Sequence, residues 1–303
     1  MYELDNASLE VFFEPFYTDN FRRIASEITG VSEPECNEYL DGYINEARYA
    51  LGRIREHLFP SCRVLEVGAG LGLLSLFLAS RGFLVVANNV DENTFLSMGR
   101  LRQWVMSQYP DVTLPFVMGK IESLDCPLES KFDFLFSLNV LEHVQNVKAA
   151  FVAMSAMLKP SGCMWHSCPN YSFPYEPHLA TLLLPFFPEK TAHFFPKLAK
   201  RKFGVWKTLN FITASELVRI ADQLDLSLMF NKKVFYEHLL RLKTDPFFRG
   251  RHVFLYYVVR CLASMRVLTL FRSTPVWLAT PMEFVVQKKG VLGGEFLCKD
   301  KLI

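Results

Sequence analysis

No CxxC pair, no internal repeat and no low-complexity tract occurs in the 303 residues. The seven cysteines (Cys36, Cys62, Cys126, Cys163, Cys168, Cys261 and Cys298) are scattered and odd in number, which argues against a disulfide framework or a zinc ribbon. Reduced thiols and a cytoplasmic location are therefore expected. Charge of one sign is also lacking: 33 basic residues face 31 acidic ones, so no nucleic-acid partner is expected. The opening residues are acidic and polar, without the apolar run of a secretory leader. No apolar stretch reaches the roughly 20 residues of a membrane-spanning helix. The nearest approach, Val253 to Phe271, is interrupted by Arg260 and Arg266. What the chain does have is apolar mass. Half its residues are hydrophobic and 28 are Phe, enough for a large core and a greasy pocket or membrane-facing surface besides.

Periodicity divides the chain into three expected parts: a helical segment over 1–60, a main domain over 61–290 and a tail over 291–303. In the first, Ser32 and Glu35 suit a capping box with Pro34 in the first turn. Leu40, Tyr43, Ile44, Ala47, Leu51, Ile54 and Leu58 then recur at helical spacing. From Arg63 short apolar runs alternate with helices. Strands are expected at Arg63–Val67, Phe83–Ala87, Leu114–Met118, Phe132–Leu138 and Cys163–Cys168. The helices between them are Leu73–Ser80, Asp91–Tyr109 and one ending near Leu158. Such alternation implies a parallel sheet with right-handed crossovers. His166 between Cys163 and Cys168 fits alternation along a buried strand, not a metal site. Two irregular blocks, about 171–212 and 237–281, read as helical insertions, the first too irregular for a sheet element. Thr213 with Glu216 makes a second capping box, a strand follows at Leu226–Phe235, a basic apolar helical stretch covers about 237–272, and a final strand runs from Met282 to Gly290.

The most informative stretch is "VLEVGAGLG", Val64 to Gly72. A strand entering Gly68, Gly70 and Gly72 and then a helix lets backbone approach a ligand closely, with helix amides favouring an anionic group. The dinucleotide fingerprint wants its third glycine at position 73, which is Leu73, and Glu66 would be unwelcome beside a pyrophosphate. Those two features disfavour a nicotinamide-dependent oxidoreductase. "VLEVGAGLG" resembles the first motif of class I S-adenosylmethionine-dependent methyltransferases. "FDFLFSLNVLEHV" (Phe132 to Val144) resembles their fourth-strand motif, and "MLKPSGCMWHSCPN" (Met157 to Asn170) the segment after it. "MEFVVQKKG" is similar to their closing strand, and the small-molecule subgroup acting on quinones, lipids or sugars is the most similar.

The resemblance implies an α/β fold: a Rossmann-like sheet, mostly parallel with an antiparallel final strand, and helices on both faces. It implies S-adenosyl-L-methionine as cofactor, its methionine end on Gly68, Ala69, Gly70 and Gly72, oriented by Glu66 and by backbone at Leu138 and Asn139. The ribose acid of the family falls on Asn89, with Asp91 two residues on. Lys120 stands where an adenine-side acid is usual, leaving Ile121 and Glu122. His143, just past the fourth strand, is the candidate general base. Asn170, Tyr171, Tyr175, Glu176 and His178 follow the fifth strand and are the expected acceptor-binding residues, since ligands bind at the carboxyl ends of parallel strands. Glu142 and His143 are similar to part of an ExxEH metal signature, but Asn139 replaces its first Glu, so no metal is expected. The expected reaction is methyl transfer to a small apolar or amphipathic acceptor, with O-methylation ahead of N- or C-methylation. The competing reading is a non-catalytic protein that keeps the fold. Phe194, Phe195, Phe203 and Trp206, interleaved with Lys197, Lys200, Arg201 and Lys202, leave a peripheral lipid contact open. Arg260, Arg266 and Arg272, at intervals of six, would be spread around one continuous helix and weaken that reading.

Overall fold

The computed structural model describes residues 4–90, 98–124, 131–179, 181–185, 187–194 and 206–290. Asp91, the segment 195–205 with its lysines and Arg201, and the tail 291–303 lie outside the described residues. The strands are β1 (Arg63–Val67), β2 (Leu84–Asn89), β3 (Phe116–Met118), β4 (Phe132–Leu138), β5 (Leu158–Cys168), β6 (Tyr175–Glu176), β7 (Thr181–Leu182), β8 (Leu226–Phe230) and β9 (Met282–Lys288). Seven form one sheet in the order β3-β2-β1-β4-β5-β9-β8. β1 pairs parallel with β2 and β4, β2 parallel with β3, and β9 antiparallel with β8. This is the Rossmann-like, mostly parallel sheet with an antiparallel final strand that the sequence implies.

The chain folds as two compact units. One runs to Leu138 and includes Ala149–Met164; the other comprises Asn139–Lys148 and the chain from Trp165 onward. In the first unit, three helices precede the sheet: α1 (Asn6–Phe13), α2 (Asp19–Thr29) and α3 (Glu33–Ile54). Gly30, at φ +73°, ends α2, and Pro34 sits in the first turn of α3. Ser32 holds the cap position of α3 but its hydroxyl makes no capping bond. Much of the abundant Phe is spent here. Phe12, Phe13, Phe16 and Phe21 pack ring against ring with Phe77, Trp104 and Tyr109 on α4 (Leu73–Ser80), α5 (Met98–Ser107) and the turn after it. Leu73 to Leu78 of α4 are all buried, so that helix is core on every side. β1 and β4 share the same interior, with Val64, Leu65, Phe134 and Phe136 almost wholly enclosed.

In the second unit the expectations need correction at three places. The strand from Leu226 stops at Phe230, because the Asn231 side chain accepts the Lys233 amide at 2.9 Å and turns the chain into α9 (Val234–Thr244). The stretch over 237–272 is not one helix. Asp245 caps α10 (Pro246–Arg251) through the Phe248 amide, and α11 (Val253–Ser264) follows. Arg266, at φ +59°, then leads into a 3-10 segment, Leu268–Ser273. The block over 171–212 does contain sheet: β6 and β7 form a short antiparallel ladder, Tyr175 opposite Leu182. Thr213 caps α8 (Ala214–Gln223) as expected, its hydroxyl accepting the Glu216 amide at 3.2 Å. α6 (Val147–Met157) and α7 (Thr191–Phe194) complete the helices among the described residues.

Candidate active site

The glycine turn joins β1 to α4. Gly68, Gly70 and Gly72 have φ of +71°, +56° and +71°, conformations that cost an L side chain about 1–2 kcal/mol. The turn is pinned by the Ala69 amide on the Asn88 carbonyl (2.9 Å) and the Gly72 amide on the Ala69 carbonyl (2.7 Å). A Cβ on Gly70 would lie 2.6 Å from the Tyr43 ring, and one on Gly72 would lie 2.5 Å from Phe116. The room left by these two glycines is thus taken by aromatic rings of this chain. The open space lies beside Gly68 and Ala69, in a pocket also lined by Tyr43, Glu46, Glu66, Leu73, Leu74 and Leu138.

Two carboxylates face that pocket. Glu66 accepts the Ser75 hydroxyl. Burial pushes its carboxyl up to about 7 against the Ser75 hydrogen bonds, and the nearby Glu46 charge adds to the rise. A half-buried acid of this kind, beside a second acid, favours a cationic ligand group and repels a pyrophosphate. The donor set therefore suits the ammonium-bearing amino-acid end of S-adenosylmethionine, as the resemblance implies. At the end of β2, Asn88 is buried and its amide holds the Val117 and Gly119 carbonyls, each at 3.0 Å. Asn89 Nδ2 reaches the Gly70 carbonyl at 3.5 Å, and Arg102, buried on α5, reaches the same carbonyl at 3.3 Å. Arg102 also stacks on Phe116, 4.6 Å from its centroid. Ile121 is buried and Glu122 half-buried on the 3-10 turn Ile121–Ser123.

The second constellation is built in the other unit. After β4, Asn139 takes φ +54° and its amide donates to Ser167 at 2.9 Å. The 3-10 turn Leu141–His143 then presents Glu142 and His143. Asn210 fastens this turn: its side-chain amide donates to the Leu141 and Val144 carbonyls (2.6 and 2.8 Å), and its backbone amide donates to the Glu142 carbonyl (2.8 Å). His143 Nδ1 lies 2.7 Å from the Thr208 hydroxyl. Burial, with the neighbouring His178 charge, lowers the His143 imidazole to about 4, so it is neutral at physiological pH. His178 has a carboxylate at each ring nitrogen: Glu176 at 2.6 Å from Nδ1 and Glu142 at 3.5 Å from Nε2. Glu176 also accepts the Leu179 amide at 2.6 Å. Burial pushes its carboxyl up, yet the His178 and Leu179 contacts outweigh it and hold it below the usual range. Cys168 and Tyr171 are raised by burial first and then by the Glu142 charge.

Of the residues expected to bind acceptor, Tyr171, Glu176 and His178 converge on Glu142 and His143. Tyr171 also forms an aromatic wall with Phe211 and Trp206, successive centroids 5.2 Å apart. Tyr175 instead pairs its hydroxyl with His252 at 2.8 Å. Asn170 is wholly buried. Its side-chain amide donates to the Val276 and Ala279 carbonyls and its oxygen accepts from Ser172 and Ala214, so its polar atoms serve to hold the loop. Thr208, Asn210 and His252 carried no sequence signal, being single polar residues far along the chain from the groups they hold. Ligating atoms of Glu142, His143 and His178 all lie within 4.8 Å of one another, so the donors of a divalent-cation site are present where the sequence led us to expect none.

A parallel sheet closed by an antiparallel strand, with a glycine turn opening on an acid-lined pocket, defines the class I methyltransferase architecture. The profile of the family described as "Methyltransferase domain" matches residues 38–229. The chain belongs to this family and is an S-adenosylmethionine-dependent methyltransferase. It is 32% identical over 272 residues to the uncharacterized protein Rv1509 of Mycobacterium tuberculosis, covering 84% of this chain and 90% of that one. It is 32% identical over 182 residues to the ubiquinone biosynthesis O-methyltransferase of Idiomarina loihiensis, covering 59% of this chain and 67% of that protein. The fold is similar to that of an S-adenosylmethionine-dependent methyltransferase from Mesorhizobium loti. That match has a TM-score of 0.50 at 14% identity, over 78% of this chain and 97% of that one.

Proposed function

We propose that the protein O-methylates a small apolar or amphipathic acceptor carrying an acidic hydroxyl, phenolic or enolic in character. The observation that carries this reading is His143: a half-buried imidazole, neutral at physiological pH, oriented by Thr208 and set beside the Glu176–His178–Glu142 cluster. Its low basicity suits an acceptor whose proton is easily removed, and would serve an aliphatic alcohol poorly. The similarity to ubiquinone biosynthesis O-methyltransferases supports the same acceptor class.

S-adenosylmethionine, when bound, supplies an electrophilic methyl carbon on a sulfonium. Glu66 and the backbone of Gly68, Ala69 and Leu138 would hold its amino-acid end, with Glu46 adding negative potential. His143 would take the acceptor's hydroxyl proton on Nε2, leaving an oxygen nucleophile for the methyl group that the cofactor would supply. Glu176 and Glu142, one at each ring nitrogen, fix the His178 ring beside His143. Tyr171, Phe211 and Trp206 offer the aromatic wall for an apolar ring.

The test is a panel of hydroxyl acceptors graded by acidity, assayed with labelled methyl donor. Catechols and hydroxyquinones should turn over, aliphatic alcohols should not, and turnover should hold level from pH 6 to 8 as far as His143 governs it. Equal activity on aliphatic alcohols, or on amines, would refute the acceptor class.

A further inference from the structure

We propose that the stretch from Pro246 to Leu278 is an interfacial surface that docks the protein on an anionic phospholipid membrane. It stands independently of the acceptor's identity. On α11, Phe254, Tyr257, Val258 and Cys261 occupy positions i, i+3, i+4 and i+7 and all face solvent. Phe254 is 81% exposed and Tyr257 60%. Met265, which ends the helix, is 57% exposed, and Leu270 on the adjoining 3-10 segment is 75% exposed. The opposite face is already satisfied: Val259 is buried with Leu239, Leu242 and Leu268. This helix is apolar on its solvent side as well as its core side, which a water-facing helix is not.

Charge selects the occupant. From Pro246 to Pro281 the chain carries Arg249, Arg251, Arg260, Arg266 and Arg272 and no aspartate or glutamate. Arg251, Arg260, Arg266 and Arg272 are exposed. A second copy of the same surface would bring like charges face to face, whereas an anionic leaflet complements them. Aromatic and aliphatic side chains among arginines suit the headgroup boundary. The break at Arg266 removes the objection from even spacing, because only Arg260 of the three six-apart arginines lies on α11. The helix lies on the bilayer and does not cross it. Its 12 residues are too few for that, and no helix among the described residues is long and apolar enough to span a membrane.

The experiment is co-sedimentation of the full chain with vesicles of phosphatidylcholine alone or mixed with phosphatidylglycerol, at two salt concentrations, with sedimentation velocity in parallel. The wild type should pellet with the anionic vesicles, less so at high salt. F254S/Y257S and R260E/R266E should each lower the partition coefficient at least about tenfold, while V11S, which removes an exposed apolar side chain of α1, should not. Circular dichroism checks that each variant is folded. Wild type left in the supernatant with both vesicles, or F254S/Y257S binding unchanged, would overturn the proposal. So would a dimer abolished by F254S/Y257S without vesicle binding, which would assign the surface to a second copy of the chain.

Discussion

The glycine-turn pocket and the Glu142–His143–His178 cluster are assembled in opposite ways. The first is centred on consecutive residues: β1, the turn and α4 follow one another within Arg63–Ser80, with Tyr43 and Glu46 of α3 and Leu138 of β4 closing the pocket. The second draws on positions far apart, with Thr208 and Asn210 holding groups on Leu141–Val144. Backbone sites write themselves in glycine spacing and strand periodicity. Side-chain sites built from loops leave no such local record.

The sharpest way to break the comparison is His143→Ala. If the two constellations divide the work, turnover should fall by about 10²–10⁴-fold, with affinity for S-adenosylhomocysteine unchanged by calorimetry. Loss of affinity alongside turnover would merge the two sites. Next in size is Gly70→Ala, which meets the Tyr43 ring at 2.6 Å in a conformation with φ +56°. It should cost about 2–4 kcal/mol in a denaturant titration, and part of that should return in a Tyr43→Ala background. Smaller is Asn210→Ala. Removing the clamp on the Leu141–His143 turn should cost about 1–3 kcal/mol, lowering turnover without touching cofactor affinity.

How far the sequence was legible follows the same division. β1, α4 and β4 lie at their expected positions, because each is a short apolar run bounded by glycine or a polar turn. The second unit was harder to read. Asp245–Pro246 is a cap followed by a first-turn proline, a legible stop inside the supposed long helix, and Asn231 is a side-chain turn inside the supposed long strand. The apolar content of both stretches masked these signals. At the candidate site, Glu66, His143, Glu176 and His178 could be named from motif position alone. Their partners could not, since nothing in a lone Thr208 or Asn210 says which loop it will meet. The glycine turn carried its own surprise. The absence of side chains at Gly70 and Gly72 makes room for Tyr43 and Phe116, so the open pocket falls one step earlier, at Gly68 and Ala69.

Central to the account is the acid-lined pocket at that step, with Glu66 raised to about 7 by burial. A group whose folded pKa is raised binds a cation only after losing its proton, so ligand affinity must rise with pH through that value. Calorimetry of S-adenosylhomocysteine binding from pH 6 to 8, in buffers of different ionisation enthalpy, tests this directly. The account predicts proton release on binding, affinity about tenfold tighter at the upper end, and loss of both effects in Glu66→Gln. Affinity independent of pH in the wild type, or binding of NAD in place of S-adenosylhomocysteine, would contradict it.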